Sequence, residues 1–273
     1  MVWKKKQGPK RFIESLGYWV PNSTGWNQVE AKITQDLINF PDLIQDMLEI
    51  PDSSRQEFKE LELGKDAELE EKLNNLFNEF GSDKAESGYS QTYASLFLSL
   101  AASPTRLKRA EVHIAEIGIG TIDPTVPSAM NPERFRPGGS LRAFGALSGN
   151  MTVLGGDIDR NVLFNEGNIR TSFVNSFDKM SIEQFFGLSD QLDLIIDDGL
   201  HFIGTQVRSL TVGIQFLTPG GFIVIEDIPE RSLNLFKLFS AVLSMKGYAN
   251  RFVRSTKPKY LWVIQKPDHA SNL

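Results

Sequence analysis

The sequence of 273 residues contains no cysteine, which excludes disulfide bonds, thiolate metal sites and a cysteine nucleophile. It also lacks any apolar run approaching the ~20 residues that a membrane-spanning helix needs. The basic run Lys4–Lys6 is not followed by the apolar segment of a secretory signal. The formal net charge is −5, whereas a general nucleic-acid binder needs a basic surface. We therefore expect a soluble, cytoplasmic protein with no membrane or nucleic-acid partner.

Hydrophobic residues make up 41% of the chain, enough for a sizeable core. The chain changes character near residue 110, with mostly helical and polar patterns before that point. Apolar spacing in this first part predicts helices over Asn27–Leu48, Asp66–Phe80 and Tyr89–Ala101. We expect residues 1–75 to form a helical N-terminal extension, serving as a lid or an assembly surface, and residues 76–273 to form the main domain.

After residue 110, short β-branched runs alternate with helical patterns, which favours an α/β fold with a parallel sheet covered by helices on both faces. The break at Lys257–Lys259 predicts that the last two strands form an antiparallel hairpin. The seven predicted strands are Glu111–Glu116, Met151–Asp157, Ile169–Val174, Leu192–Asp197, Gly221–Glu226, Arg251–Ser255 and Tyr260–Gln265.

Ligands of open parallel sheets bind at the carboxyl ends of the strands. The first predicted strand ends near Gly118 and Gly120, where the backbone can approach a ligand closely. The second ends in Asp157, whose carboxylate can accept hydrogen bonds from both hydroxyls of a ribose. The third is followed by Asn175 and Ser176, polar groups able to reach an adenine edge. Together these residues predict an adenosine-containing cofactor, and the long loop before the next helix disfavours a pyrophosphate.

The fourth and fifth predicted strands end in a cluster of acids with one histidine: Asp197, Asp198, His201, Glu226 and Asp227. Adjacent parallel strands lie ~4.8 Å apart, so the two strand ends can share one site. A divalent cation such as Mg²⁺ would relieve the repulsion between the carboxylates. Capping of the carboxylates by amides at helix N-termini is the alternative. The surrounding acids raise the basicity of His201, which we predict to be a general base for a substrate hydroxyl.

These motifs together resemble the metal-dependent sugar O-methyltransferases of macrolide and related natural-product pathways. They are also similar to cephalosporin hydroxylases, which share that fold. The similarity runs from about residue 80 to residue 265. Its pieces are Gly81–Lys84 with Tyr89 and Tyr93, Glu116–Gly118, Gly138–Arg142, Gly156–Asp159, Ile196–His201, and Pro219–Gly221 with Ile225–Asp227.

The resemblance implies a Rossmann-like methyltransferase fold for residues 76–273, with S-adenosylmethionine and Mg²⁺ or another divalent cation as cofactors. It implies Asp198, Glu226 and Asp227 as metal ligands and His201 as the base. The cofactor site predicted from the strand ends and the resemblance together comprises Lys84, Tyr89, Glu116, Gly118, Gly120, Ser140, Asp157, Asn175, Ser176 and Asp197.

The function expected from these features is transfer of a methyl group to a hydroxyl of a small natural product, with a sugar as one candidate acceptor. Two other functions stay open at the level of the sequence. One is a hydroxylase or oxygenase on the same fold, and the other is a module that binds the cofactor without catalysis. The oligomeric state is open as well, including a homo-oligomer.

Overall fold

The computed structural model describes residues 40–52, 61–103, 111–123, 130–131 and 133–268. Most of the first predicted helix lies outside these residues. No helix of the described part has the length and the apolar character to cross a membrane. The α-helices of this part are α1 (Phe40–Leu48), α2 (Ala67–Phe80), α3 (Ser90–Ala102), α4 (Gly139–Leu147), α5 (Lys179–Phe186), α6 (Ile203–Phe216) and α7 (Leu233–Met245).

The strands of the described part form one sheet of eight, in the order β3-β4-β2-β1-β5-β6-β8-β7. They are β1 (Val112–Ile117), β2 (Met151–Asp157), β3 (Asn165–Glu166), β4 (Ile169–Phe173), β5 (Leu192–Asp197), β6 (Leu217–Pro229), β7 (Ala249–Arg254) and β8 (Lys259–Gln265). Strands β4, β2, β1, β5 and β6 are parallel, and β8 and β7 follow as antiparallel strands. This arrangement confirms the predicted mostly parallel sheet with an antiparallel C-terminal hairpin.

The sheet has one strand more than the seven predicted. The additional strand, β3, consists of Asn165 and Glu166 and pairs antiparallel with β4. Both residues are exposed, and a glycine with a left-handed backbone (Gly167, φ 55°) lies in the turn that joins the two strands. A two-residue exposed strand has no alternation of apolar and polar residues, so its sequence carries no pattern by which to recognise it.

Helices cover both faces of the sheet because the central strands are apolar on both sides. All six residues of β5 are buried, as expected for a strand inside a parallel sheet. On one face the core contains Leu43 of α1 and Val207 of α6. On the other face it contains Leu73 of α2 and Phe144 of α4. Because β1, β2, β5 and β6 are parallel, their carboxyl ends meet at one edge of the sheet, between the two layers of helices.

Helix α2 crosses the expected boundary between residues 75 and 76. It begins after Asp66, whose side chain accepts a hydrogen bond from the backbone N–H of Leu69, and it ends at Gly81, whose φ is 72°. Its buried residues Leu73 and Phe77 face the same core as α3 and α4. The described part of the segment before residue 76 thus packs on the sheet domain, and the division into two units stays a prediction.

Candidate active site

The ends of β1 and β5 touch through their backbones. The N–H of Asp198 donates to the carbonyl of Ile117 at 2.8 Å, and a Cβ added to Gly118 would lie 2.3 Å from the carbonyl oxygen of Asp198. Gly118 also has a φ of 88°, a conformation that residues with a side chain rarely adopt. Glycine is required here because the two strand ends approach so closely, and this contact fixes where Asp198 lies.

Lys84 is enclosed by three carboxylates, those of Glu116 in β1, Asp198 after β5 and Glu226 in β6. Its side chain is 1% exposed, and Nζ lies 2.8 Å from Asp198 Oδ2, 2.8 Å from both carboxylate oxygens of Glu226 and 3.1 Å from Glu116 Oε1. Burial opposes the charge of Lys84, but Asp198, Glu116 and Glu226 raise its pKa well above the usual value. Lys84 is therefore charged, and it ties β1, β5 and β6 together beneath the site.

Glu226 and Asp227 are adjacent but face different partners. They lie at an irregularity in the pairing of β6 with β8, between Ile225 and Ile228. The hydroxyl of Tyr93 donates to Glu226, whose carboxylate points at Lys84. Burial and the carboxylate of Asp198 raise the pKa of Glu226 well above its usual value. Irregular pairing of this kind re-aims side chains next to active sites.

Asp227 is held by two donors and has a left-handed backbone, with φ 59°. The hydroxyl of Tyr89 donates to its Oδ1, and the ammonium group of Lys259 donates to its Oδ2. Burial alone would raise the pKa of Asp227, but His201, Lys259 and Tyr89 lower it to about 2. Asp227 is therefore a carboxylate at neutral pH, with its oxygens fixed in position.

His201 has the second left-handed backbone of a non-glycine residue in the described part, with φ 54°. Its Nε2 lies 3.8 Å from Asp227 Oδ2, and its Nδ1 is buried without a hydrogen-bond partner among the described residues. Such conformations cost of order 1–3 kcal/mol each and cluster at functional sites. The left-handed conformations of His201 and Asp227 indicate that tertiary packing maintains the arrangement of these two side chains despite the cost to the backbone.

Asp198, His201 and Asp227 can together hold a metal ion, because one ligand atom from each lies within 4.8 Å of the other two. They line a cavity of about 110 Å³, with Asp83, Gly118, Gly120, Ser140 and Asp157 among the other lining residues. The carboxylates in and next to the cavity outnumber the cationic groups there, which are the guanidinium of Arg136 and the ammonium groups of Lys84 and Lys259. Burial and the carboxylate of Asp198 also raise the pKa of Asp83. This excess of negative charge and the oxygen-rich set of donors fit a divalent cation. Glu226, the third predicted ligand, is outside this group of three.

Three residues predicted to contact the cofactor support the cavity through hydrogen bonds. Asp157 accepts from the backbone N–H groups of Ile119 at 3.1 Å and of Asp159 at 2.9 Å. Glu116 accepts from the hydroxyl of Ser140 at 2.8 Å. Burial raises the pKa of both carboxylates. Asp157 and Ser140 face the cavity, which is compatible with the predicted cofactor site.

Other residues of the predicted cofactor site lie behind the cavity or away from it. Asp197 is buried and accepts a hydrogen bond from the N–H of Gly199 at 3.3 Å, within the turn after β5. Asn175 accepts from the N–H of Phe177 at 3.1 Å, and the carbonyl of Ser176 accepts from Arg208 at 3.2 Å. Asn175 and Ser176 order the loop before α5 and are not among the cavity-lining residues. Their contact with an adenine stays a prediction.

Three residues with a clear place in the site were given no role from the sequence. Asp83 and Tyr93 belong to the motif that carries the resemblance, but motif membership does not indicate which partner a side chain meets. Lys259 ends the break predicted from the sequence, is the first residue of β8 and pairs with Pro229 of β6. Antiparallel pairing of the last strand with β6 is what brings its ammonium group to Asp227. A single lysine in a polar break gives no sign of this contact.

The chain is similar in sequence to the 8-demethyl-8-alpha-L-rhamnosyl tetracenomycin-C 2'-O-methyltransferase of Streptomyces olivaceus. The two are 30% identical over 117 residues, which cover 43% of this chain and 29% of that enzyme. The resemblance to natural-product sugar O-methyltransferases, expected from the motifs, is confirmed by this match. No protein-family model matches the sequence.

The fold is that of solved structures of MycE, a methyltransferase from the mycinamycin biosynthetic pathway. The structure with Mg and SAH matches with a TM-score of 0.54 and 20% identity over 74% of this chain. The structure with Mg, SAH and mycinamycin VI matches with a TM-score of 0.54 and 19% identity. The chain spans 56% of MycE in both comparisons. The predicted Rossmann-like methyltransferase fold is thereby confirmed.

Proposed function

We propose that this chain is an S-adenosylmethionine-dependent O-methyltransferase that acts on a hydroxyl of a small natural product with the help of a divalent cation. The observation that carries the proposal is the convergence of Asp198, His201 and Asp227 at the strand ends of a methyltransferase fold, beside Asp157. Support comes from the tetracenomycin-C 2'-O-methyltransferase and from MycE, a methyltransferase of the mycinamycin pathway whose solved structures contain Mg and SAH.

The cofactor end of the proposed site lies at β1 and β2. The carboxylate of Asp157 would accept hydrogen bonds from the ribose hydroxyls, which is the role of an acid at the end of the second strand in nucleotide-binding sheets. The carboxylate of Glu116 joins this part of the site to Lys84, because it accepts a hydrogen bond from the hydroxyl of Ser140 and lies 3.1 Å from Lys84 Nζ. Gly118 and Gly120, both with a left-handed backbone, line the cavity without presenting a side chain to it.

The metal end of the proposed site lies at β5 and β6, where Asp198 and Asp227 supply carboxylate oxygens. Glu226, the third predicted ligand, lies next to them and shares the ammonium group of Lys84 with Asp198. Asp198 and Asp227 would hold a divalent ion, with Mg²⁺ as the first candidate, and the ion would supply Lewis-acid chemistry that lowers the pKa of an acceptor hydroxyl.

His201 is the proposed general base. Its Nε2 lies 3.8 Å from Asp227 Oδ2 and the residue lines the cavity, which supports removal of the proton of the acceptor hydroxyl by this imidazole. Attack of the oxygen on the sulfonium methyl transfers the methyl group and leaves S-adenosylhomocysteine, so the residues contribute chiefly position and proton removal. A sugar hydroxyl is the proposed acceptor, on the strength of the tetracenomycin and mycinamycin enzymes.

Calorimetric titration with S-adenosylmethionine, with and without Mg²⁺, tests the proposal. We expect one site per chain, and we expect Asp157→Asn to weaken binding by roughly 10- to 100-fold through loss of charged hydrogen bonds. The matched control is Asp178→Asn, which removes a carboxylate that caps α5 outside the cavity and should leave the affinity unchanged. Absence of binding in both conditions would contradict the proposed function.

A further inference from the structure

A short turn connects the end of β5 with the proposed base, and the proposed reaction gives the last residue of that strand, Asp197, no task. His201 follows four positions later, in the turn that leads to α6. Asp197 Oδ2 is buried and has no hydrogen-bond partner among the described residues, and the same holds for His201 Nδ1. Buried polar atoms are nearly always paired in folded proteins, so two such atoms in one turn call for an explanation.

We propose that Asp197 is a positioning residue that accepts a hydrogen bond from Nδ1 of His201 and thereby keeps the proton of the neutral imidazole on Nδ1. Nε2 is then unprotonated, which is the state that a general base requires. The inference rests on the proposed function, because His201 is the base of that reaction. It gives Asp197 a task other than contact with the cofactor, in agreement with its place outside the cavity lining.

The two nitrogens of the imidazole have different surroundings. Nε2 lies 3.8 Å from Asp227 Oδ2, which is too long for a hydrogen bond, and His201 lines the cavity. Nδ1, the ring nitrogen nearer the backbone, is the buried one. A proton held on Nδ1 therefore leaves the lone pair on the nitrogen that no described residue engages in a hydrogen bond, where it can accept the proton of the acceptor hydroxyl.

The carboxylate of Asp197 is held by the same turn. Its Oδ1 accepts from the N–H of Gly199 at 3.3 Å, which directs the side chain back onto the turn and leaves Oδ2 for another donor. Burial raises the pKa of Asp197, whereas the hydroxyl of Ser209, the N–H of Gly199 and the charge of His201 lower it. The effect of His201 shows that its imidazole lies near enough to act on this carboxylate.

Gln206 offers the competing acceptor for Nδ1. Its Oε1 is also buried without a hydrogen-bond partner in the described part, while its Nε2 donates to the backbone carbonyl of Glu226 at 2.9 Å. A carboxylate is the better partner for a base, because it stabilises the imidazolium that forms when Nε2 takes the proton of the attacking hydroxyl. The amide of Gln206 carries no charge to do so, which favours Asp197.

NMR spectroscopy of the chain labelled with ¹⁵N at histidine, in the presence of Mg²⁺ but without cofactor or acceptor, tests the inference. The sequence has three histidines, so the signals of His201 can be assigned by their loss in His201→Ala. The ¹⁵N chemical shifts distinguish a protonated ring nitrogen from an unprotonated one once the pH is high enough that the ring is neutral. We expect the proton of His201 on Nδ1. A proton on Nε2 in the unaltered chain would overturn the inference.

Substitution of Asp197 by asparagine should move this proton to Nε2. The amide oxygen can keep the contact with Gly199, and the amide nitrogen, in the position of Oδ2, then donates to Nδ1. The matched control is Asp193→Asn, which changes another buried carboxylate of β5, near the amino end of the strand, and should leave the proton of His201 on Nδ1. A folded Asp197→Asn variant with Nδ1 still protonated would refute the role of Asp197.

A third variant keeps the test decisive where Asp197→Asn does not fold. Gln206→Met removes the competing acceptor at nearly constant length, and we expect it to leave the proton on Nδ1. A shift of the proton to Nε2 in this variant would assign the contact to Gln206 and overturn the inference. The position of the proton can be read whether or not S-adenosylmethionine binds, so the calorimetric titration tests the proposed function separately.

Discussion

Substitution of Gly118 by alanine tests the contact between the ends of β1 and β5. The added Cβ would lie 2.3 Å from the carbonyl oxygen of Asp198 and 2.6 Å from the Cα of Gly199. Both neighbours are backbone atoms, so no side chain can rotate away to make room. The backbone that carries Asp198 must move, and the proposed metal ligand must move with it.

Two contributions set the magnitude. A positive φ costs a residue with a side chain roughly 1–2 kcal/mol, and overpacking of a filled interior costs typically 1–3 kcal/mol. We therefore expect Gly118→Ala to lower the free energy of unfolding by about 3 kcal/mol or more. Two other glycines separate these contributions. An added Cβ has nothing within 4 Å at either Gly167 or Gly149, but Gly167 has a φ of 55° whereas Gly149 has no positive φ.

Urea denaturation of the three alanine variants, followed by circular dichroism, measures the effects. Gly167→Ala should lose about 1–2 kcal/mol, and Gly149→Ala should change the free energy of unfolding by less than about 1 kcal/mol. Mg²⁺ titration of folded Gly118→Ala should show weaker binding than the unaltered chain, because Asp198 is displaced. A Gly118→Ala variant no less stable than Gly167→Ala, with unchanged ion affinity, would refute the reasoning about this contact.

Three further predictions concern the base, the buried acid and the periphery. His201→Ala should bind S-adenosylmethionine as the unaltered chain does but transfer methyl groups roughly 10²- to 10⁴-fold more slowly. The control is His113→Ala, at the amino end of β1, which should retain turnover. Equal rates of methyl transfer for the two variants would refute the assignment of His201 as the general base. Tyr93→Phe leaves Glu226 with one hydrogen bond fewer and should lower the free energy of unfolding by about 1–3 kcal/mol in urea denaturation, and a change near zero would argue against that bond. Burial and the nearby Asp52 raise the pKa of Tyr248 to about 12, so its neutral form is favoured in the folded state. Stability should therefore fall as the pH rises from 10 towards 12, and less so in Tyr248→Phe; parallel pH profiles would contradict this assignment.

The parallel sheet could be predicted because its strands carry strong patterns. The run Leu192–Asp197 is apolar at four of its six positions and is buried at all six. Strand β6 is longer than predicted, Leu217–Pro229 instead of Gly221–Glu226, since pairing with β8 continues past the irregularity between Ile225 and Ile228. Pairing with a distant strand is a tertiary effect, and local propensity does not contain it.

The acid and histidine cluster could also be predicted, since strand ends of a parallel sheet meet at one edge. The hydrogen-bond partner of each side chain in the cluster could not be predicted, and Glu226 is an example. Sequence spacing places Glu226 and Asp227 at the same strand end, yet the backbone irregularity turns them towards different neighbours. Lys84 reaches Glu226 across 142 positions of sequence, and such a contact depends on the packing of α2 and α3 against the sheet.

A crystal structure of the chain with S-adenosylhomocysteine and Mn²⁺ in place of Mg²⁺ tests the central claim most directly, because anomalous scattering locates the ion independently of the protein. We expect one ion peak about 2.0–2.6 Å from carboxylate oxygens of Asp198 and Asp227, with His201 beside the open face of the ion. We also expect the ribose hydroxyls at Asp157. A structure with the ion elsewhere, or with no nucleoside at the end of β2, would contradict the account.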